Sequence, residues 1–369
     1  MRKWRTVNIC ECARVVSGAT PDTTKSEYWD GNINWTTPKD ISELNSKYLF
    51  STPRHITESG LRNCAAELLP INSVLFSSRA PIGLVAINKI PTATNQGFKS
   101  FIPDINKLDS LYLYYWLKAN RKNIEKLGVG ATFKEVNKKI VENIKIPLPT
   151  IEEQKRIAAI LDSADAIRTK RKAAIAKLDE LAQSIFLDMF GSSVTDSKYD
   201  IGTIRPFVSA GSGKTTRSVT SSIPTDIPIY GGNGKTGFAT KALFTKPVLV
   251  FGRVGQQCGI TRMTEGPAWI TDNAIYVVIN DEKKLNYQYI LMAYRISNFS
   301  ESVKHLDLPF INQSMILDYT IPIPPIKIQD KYEQLIYQIR VNQQLYGKAL
   351  QQDDTLFSSL QQRAFAGEL

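Results

Sequence analysis

The sequence predicts an α+β chain built twice: two mixed α/β blocks separated by two long helices that pair as an antiparallel coiled coil, with an internal pseudo-twofold duplication. Three observations carry this. First, Ile146-Pro147-Leu148-Pro149-Thr150-Ile151-Glu152-Glu153-Gln154 returns as Ile321-Pro322-Ile323-Pro324-Pro325-Ile326-Lys327-Ile328-Gln329 at a constant offset of 175. Second, the first of these segments opens a run without Gly or Pro as far as residue 190, rich in helix-permissive side chains. Third, charge alternates along the chain. Residues 1–147 hold 21 basic and 13 acidic groups, 148–197 hold 7 and 8, 198–322 hold 13 and 9, and 323–369 hold 5 and 5. A period this long is a duplicated domain with its connector, not a solenoid of repeats of about 20–50 residues.

Block one, residues 1–147, reads as short β-rich runs (73–76, 84–87) broken by Gly, Pro and Asn, then an aromatic helix at 110–119. The Pro-x-Pro segment ends that block, because proline can neither continue a helix nor donate to a ladder. A long helix follows within 148–191. Its apolar residues, among them Ile157, Leu161, Ile167, Leu178, Leu181 and Met189, keep a three-four spacing interrupted by Arg168 and Arg171. Over residues 152–190 it would extend roughly 58 Å. Gly191 follows as a stop.

Block two, 198–322, repeats the plan. Val74-Leu75-Phe76-Ser77-Ser78-Arg79 aligns with Val248-Leu249-Val250-Phe251-Gly252-Arg253 at offset 174, and Tyr112-Leu113-Tyr114 with Tyr287-Gln288-Tyr289 at 175. Ile33-Asn34-Trp35 meets Pro228-Ile229-Tyr230 only at 195, so the first copy carries about 20 extra residues where a surface loop would absorb them. The second helix, in 323–369, is glutamine-rich, with Leu335, Ile336, Ile339 and Leu345 on its seam. Neither helix can bury its seam alone, and pairing with the other is the economical solution.

At 43% hydrophobic and 22% charged, 369 residues suffice for two or three cores and exclude a disordered or purely fibrous chain. No window reaches the roughly 18–20 apolar residues of a membrane span, and Met1-Arg2-Lys3-Trp4-Arg5 lacks a signal-peptide core. Four cysteines (Cys10, Cys12, Cys64, Cys258) make no disulfide framework, and a cytoplasmic location is expected. With only His55 and His305, a Cys/His zinc site or histidine triad is poorly supplied. Cys10 and Cys12 read as buried structural thiols.

The net charge of +11, concentrated in the two blocks, points to a polyanion. Two motifs suggest nucleotide chemistry and fail on spacing. Gly211-Ser212-Gly213-Lys214-Thr215 lacks the leading glycine of a phosphate loop, since Val208 stands there. Gly232-Asn233-Gly234-Lys235-Thr236-Gly237 fits the dinucleotide fingerprint literally, but no helix follows and no acidic residue lies about 20 positions on. It reads as a glycine turn. No catalytic set is visible.

The Pro-Leu-Pro-Thr-Ile-Glu-Glu-Gln-Lys-Arg-Ile run at 147–157, Tyr230-Gly231-Gly232-Asn233-Gly234, the helix end at 183–191 and the closing Gln361-Gln362-Arg363-Ala364-Phe365-Ala366-Gly367-Glu368-Leu369 together resemble the specificity (S) subunit of type I restriction-modification systems. The resemblance spans the chain. In copy two, Lys327-Ile328-Gln329 replaces the Glu-Glu-Gln triplet. The resemblance implies a subunit without catalysis, whose two target recognition domains each read one half of a split, asymmetric double-stranded DNA sequence. It also implies two methylation subunits and two restriction subunits as partners, which use S-adenosylmethionine, ATP and Mg; no cofactor is expected in this chain.

Base reading favours Arg, Asn and Gln near strand ends. Arg79, Asn95 and Gln96 are the candidates in block one, and Arg253 and Asn273, at matching places, in block two. Tyr230, Asn233 and Lys235 join them through the glycine turn. Ile157, Leu161, Leu178, Leu335 and Ile339 are the expected partner-docking positions on the helices. Three alternatives stay open: the specificity subunit of a related fused restriction-methylation enzyme, a duplicated coiled-coil scaffold that binds no DNA, and a P-loop enzyme.

Overall fold

The computed structural model describes residues 4–130, 134–191, 197–304 and 309–369; His305 lies outside them. The chain divides into two compact units, Met1–Arg171 with Ala349–Leu369, and Lys172–Lys348.

In the first unit a five-stranded sheet runs in the order Ala13–Ser17, Lys99–Pro103, Val74–Phe76, Val85–Asn88, Tyr48–Leu49. Beside it lies a three-stranded sheet of Arg54–Ile56, Trp29–Thr36 and Thr92–Thr94. The block opens and closes on one antiparallel pair, Thr6–Asn8 with Lys145–Pro147. The second unit repeats this. Its sheets run Val208–Ser212, Ala274–Ile279, Leu249–Gly252, Thr261–Met263 and Thr220–Ser221, Gly234–Ala239, Pro228–Gly231, Trp269–Ile270. Ile201–Thr203 pairs with Thr320–Pro322 as its gate. The extra residues of the first copy are no plain loop. They form the helix Pro38–Ser42 and the strand Tyr48–Leu49, which extends the five-stranded sheet in parallel with Val85–Asn88.

Hydrogen bonding corrects the alignment of the copies. The aromatic helices are Ser110–Lys126, capped by Asp109, and Tyr287–Ile296, capped by Asn286. Both cap side chains accept from the first-turn amides, as N-cap residues do. Tyr112 donates its hydroxyl to Pro147 O (2.8 Å) and Tyr289 donates to Pro322 O (2.5 Å), so Tyr112 answers Tyr289 at offset 177. The pairings Leu75 with Ala86 and Val250 with Arg262 likewise match Phe76 to Phe251 at 175. Composition alone cannot see such one- and two-residue slips, because the neighbouring positions are equally apolar or aromatic.

The long helices run Ile151–Phe190 and Ile326–Ala366. Each is locked to its block by one fully buried glutamine. Gln154 accepts from Asp109 N (2.9 Å) and donates to Lys107 O and Pro149 O (2.8 and 2.9 Å). Gln329 does the same with Asn286 N, Lys284 O and Pro324 O. The Lys327-Ile328 departure therefore leaves the lock intact. Replacing Gln154 by Leu strands one buried amide and two carbonyls. The expected loss is about 2–4 kcal/mol, read as a lowered denaturant midpoint of the full chain; an unchanged midpoint would refute the lock.

Within each unit, segments of the two helices meet. In the first, Arg168 and Arg171 reach Asp354 and Asp353 (both 2.6 Å), and the Arg168 guanidinium lies 4.4 Å from the Phe357 ring centre. These arginines, which break the apolar spacing in the sequence, are thus interhelical contacts. In the second, Phe186 and Phe190 pack on Tyr289 and Tyr332, and Gln343 donates to Asp179 (2.6 Å).

Candidate nucleic-acid interface

In the second unit, Pro228–Gly231 and Gly234–Ala239 form a hairpin, and Gly234 turns it at φ +95°, where a side chain would be strained. The literal dinucleotide fingerprint is therefore a β-turn. The other glycine motif has a packing cause. A Cβ on Gly213 would stand 2.2 Å from Thr271 O, so this glycine lets the chain leaving Val208–Ser212 pass close to the chain leaving Trp269–Ile270, as Gly18 does against Asn95 O in the first unit.

Asn233 is exposed at the turn tip. Lys235, also exposed, pairs with Glu265 (2.9 Å), whose hydrogen bond raises the lysine pKa. Tyr230 corrects the expectation. Only 4% exposed, its ring belongs to a core with Val248, Val250 and Ile270, and burial raises its pKa. The chain turns at a strand end here, and the aromatic side chain is the one that faces inward.

The turn lies against two other expected residues. A Cβ on Gly232 would be 3.5 Å from Asn273 O, which accepts from Arg253 N (3.2 Å). Arg253 and Asn273 are exposed, and Arg253 Nη1 reaches Asp272 O at 3.4 Å. Asn233, Arg253 and Asn273 thus share one open edge. Arg262 braces it, donating to Gly232 O (2.6 Å) and Gln257 Oε1 (2.9 Å).

The first unit builds a related edge. Ser78 N donates to Gly97 O (2.7 Å), Asn95 Oδ1 accepts from Gly97 N (2.9 Å), and exposed Gln96 bonds to Thr20. Half-buried Arg79 follows Ser78 and bridges Glu135 through its backbone. That bridge is matched by Val254 with Phe310, and Ser78 to Gly97 by Arg253 to Asn273. Arg79 and Arg253 therefore do not hold matching places; Ser78 answers Arg253, because the register is 175. Asn95 is committed to its own turn, while Gln96 faces outward.

Sequence reading missed Arg54, whose guanidinium lies 4.5 Å from the Trp35 ring centre and 5.8 Å from that of Trp29. The signal is a cross-strand one, since Arg54 stands opposite Trp35 in register, and an irregular connection hides that register from the sequence. On the helices, Ile157 and Leu161 are fully buried in the first core and Ile339 is 7% exposed in the second, so the chain itself covers these three docking positions. Leu178 is partly buried; Leu335, at 46%, is open. Cys12 is buried as expected and Cys10 is exposed. Among the described residues no helix is long and apolar enough to cross a membrane.

Two like units, each with Arg and Asn beside a strand turn, make a duplicated α+β module. The chain belongs to the family of type I restriction modification DNA specificity domains, whose sequence model matches residues 1–183 and again 186–348. It is similar to the type I restriction enzyme MjaIX specificity subunit of Methanocaldococcus jannaschii, 27% identical over 91% of this chain and 86% of that protein. The crystal structure of the type I restriction-modification S subunit of M. genitalium shares its fold at 17% identity, with a TM-score of 0.65 over 98% of this chain and 96% of that one. A chain from a structure concerned with complex assembly and conformational transition of the type I system aligns at a TM-score of 0.56 and 16% identity, over 100% of this chain and 99% of that one.

Proposed function

We propose that this chain is the sequence-reading, non-catalytic subunit of a type I restriction-modification complex. Blocks 1–147 and 198–322 each read one half of a bipartite, asymmetric duplex, and segments 148–191 and 323–369 pair as an antiparallel coiled coil that sets the distance between the halves. Arg79, Gln96, Asn233, Lys235, Arg253 and Asn273 are the side chains that meet DNA, with Asn95 and Tyr230 shaping the turns behind them. Two methylation subunits and two restriction subunits dock on the helices and their flanks, and S-adenosylmethionine, ATP and Mg serve those partners in the cytoplasm.

The observation that carries this reading is the duplication down to single hydrogen bonds: two blocks gated by like strand pairs, each locked by one glutamine to its own long helix. Two equivalent lock regions on one chain supply two equivalent sites for identical partners. The two edges differ in their side chains, so their half-sites differ. Assembly with the methylation subunits and sequencing of the modified adenines is the test. A gapped target with two unlike halves and a two-to-one mass are expected. Modification without a sequence rule, or a one-to-one complex at saturation, would defeat the reading.

A further inference from the structure

Behind the glycine turn the second unit carries an open cleft of about 570 Å³ lined by Lys235, Arg262, Arg295 and Arg340, with Glu265 at its rim. Its charge is lopsided. Glu265 is already paired with Lys235, and Asp179, which also accepts from the neutral Gln343, is the carboxylate whose charge acts on Arg295. Arg295 donates its Nε to Thr261 O (3.2 Å), and Arg340 makes no ion pair among the described residues. Although part of Arg295 is solvent-exposed, burial of its guanidinium and repulsion from Arg262 and Arg340 hold its pKa below the ordinary value. The group remains charged, and the direction records burial first and the gathering of like charges second. Beside them, the buried Tyr332 hydroxyl has no hydrogen-bond partner among the described residues and stands within electrostatic reach of both Arg295 and Arg340.

The fold does not require this cluster. By strand and helix register, Arg262 answers Ala86, and Arg340 answers Asp165. Arg295 answers Lys118, which lies over the Tyr114 ring. Three guanidinium groups confined to one copy, with Asp179 as the carboxylate acting on Arg295, are poised for an anion supplied from outside. Forked guanidinium donors match phosphate oxygens. The position of the cleft names the source: Lys235 and Gly234 belong both to the turn and to the cleft wall. The major groove is about 12 Å wide, so a turn that touches base edges brings a phosphate strand to its flank.

We propose that Arg295 and Arg340 clamp a backbone phosphodiester of the DNA, while Arg262 fixes the glycine turn to the cleft wall. This rests on the reading of the second block as a DNA-binding domain, and it adds contacts that position the duplex without reading its sequence.

The test uses the full chain assembled with its methylation subunits and a random-sequence duplex, titrated between roughly 50 and 200 mM salt. Arg295→Gln with Arg340→Gln should weaken binding about tenfold or more and flatten the log-log salt slope by about 1–2, equally for target and random duplexes. The doubly lysine-substituted chain, which keeps the charge, should retain the slope. Circular dichroism and assembly with the partners are followed in parallel. An unchanged affinity and slope with DNA binding intact overturns the clamp alone. Loss of partner assembly at an unchanged slope assigns the cleft to protein carboxylates and also overturns it. If the unaltered complex binds no duplex at any salt, the DNA-reading function itself fails, and the clamp with it.

Discussion

Exchanging residues 198–322 for the corresponding block of another specificity subunit is expected to change one half of the recognised sequence and leave the other half as it was. The reason lies in how the block joins the chain. It enters and leaves through Ile201–Thr203 and Thr320–Pro322, whose Gly202 and Ile321 are direct partners, so the two graft ends are neighbours in one hydrogen-bonded pair. Its sheets pair among themselves. What the graft must preserve is the packing of Tyr289 on Phe186 and Phe190 and the bonds of Gln329 to residues 284 and 286, which tie block to helix. Each wrong base pair typically costs about 1–3 kcal/mol, so a half-site of several pairs switches preference by a hundredfold or more. Sequencing modified adenines in DNA from cells carrying the hybrid reads the outcome. A change in both halves would mean that the blocks do not divide the work.

The duplication was legible because it rests on proline and on long-range periodicity, which constrain the chain whatever surrounds it. Pro147 and Pro149, like Pro322 and Pro324, stop a strand and free the next residues to start a helix. The seam was legible only in part: Ile157, Leu161, Ile336 and Ile339 are buried, whereas Ile167, Leu181, Leu335 and Leu345, equally apolar and equally spaced, are open. What the sequence hid was register. Phe76 sits one position from where the alignment placed it, and Tyr112 two, because a slip among equally apolar neighbours leaves the pattern unchanged while reassigning every hydrogen bond. That slip misplaced Arg79 relative to Arg253.

The sites were less legible than the frame. Tyr230 is aromatic beside a glycine turn, a pattern shared by ligand platforms and by core residues at strand ends; burial decides for the core. Arg168 and Arg171 looked like defects in the seam, yet their stems and charges meet Phe357, Asp354 and Asp353. Long cations often cover apolar surface while their heads find carboxylates. Arg262 and Arg295 lie in an ordinary strand and an ordinary helix, 33 residues apart, and only the folded unit brings them to one cleft.

Lengthening the helices is expected to lengthen the gap between the half-sites and change nothing else in the target. Four residues inserted into each helix, after Arg171 in the first and after Lys348 in the second, fall where the compact units divide. The pairs Arg168 with Asp354, Arg171 with Asp353 and Asp179 with Gln343 each stay on one side of the insertion and keep their register. Four residues add about 6 Å of helix, against about 3.4 Å per base pair, so the gap should grow by one or two pairs. Insertion into the first helix alone would set those pairs against one another and lose affinity as well. Because four residues overshoot a helical turn by about 40°, some loss of affinity accompanies the doubled insertion too. The spacing of modified adenines is the decisive measurement. Methylation that persists at the original spacing would reduce the helices to a docking surface and require another element to set the distance.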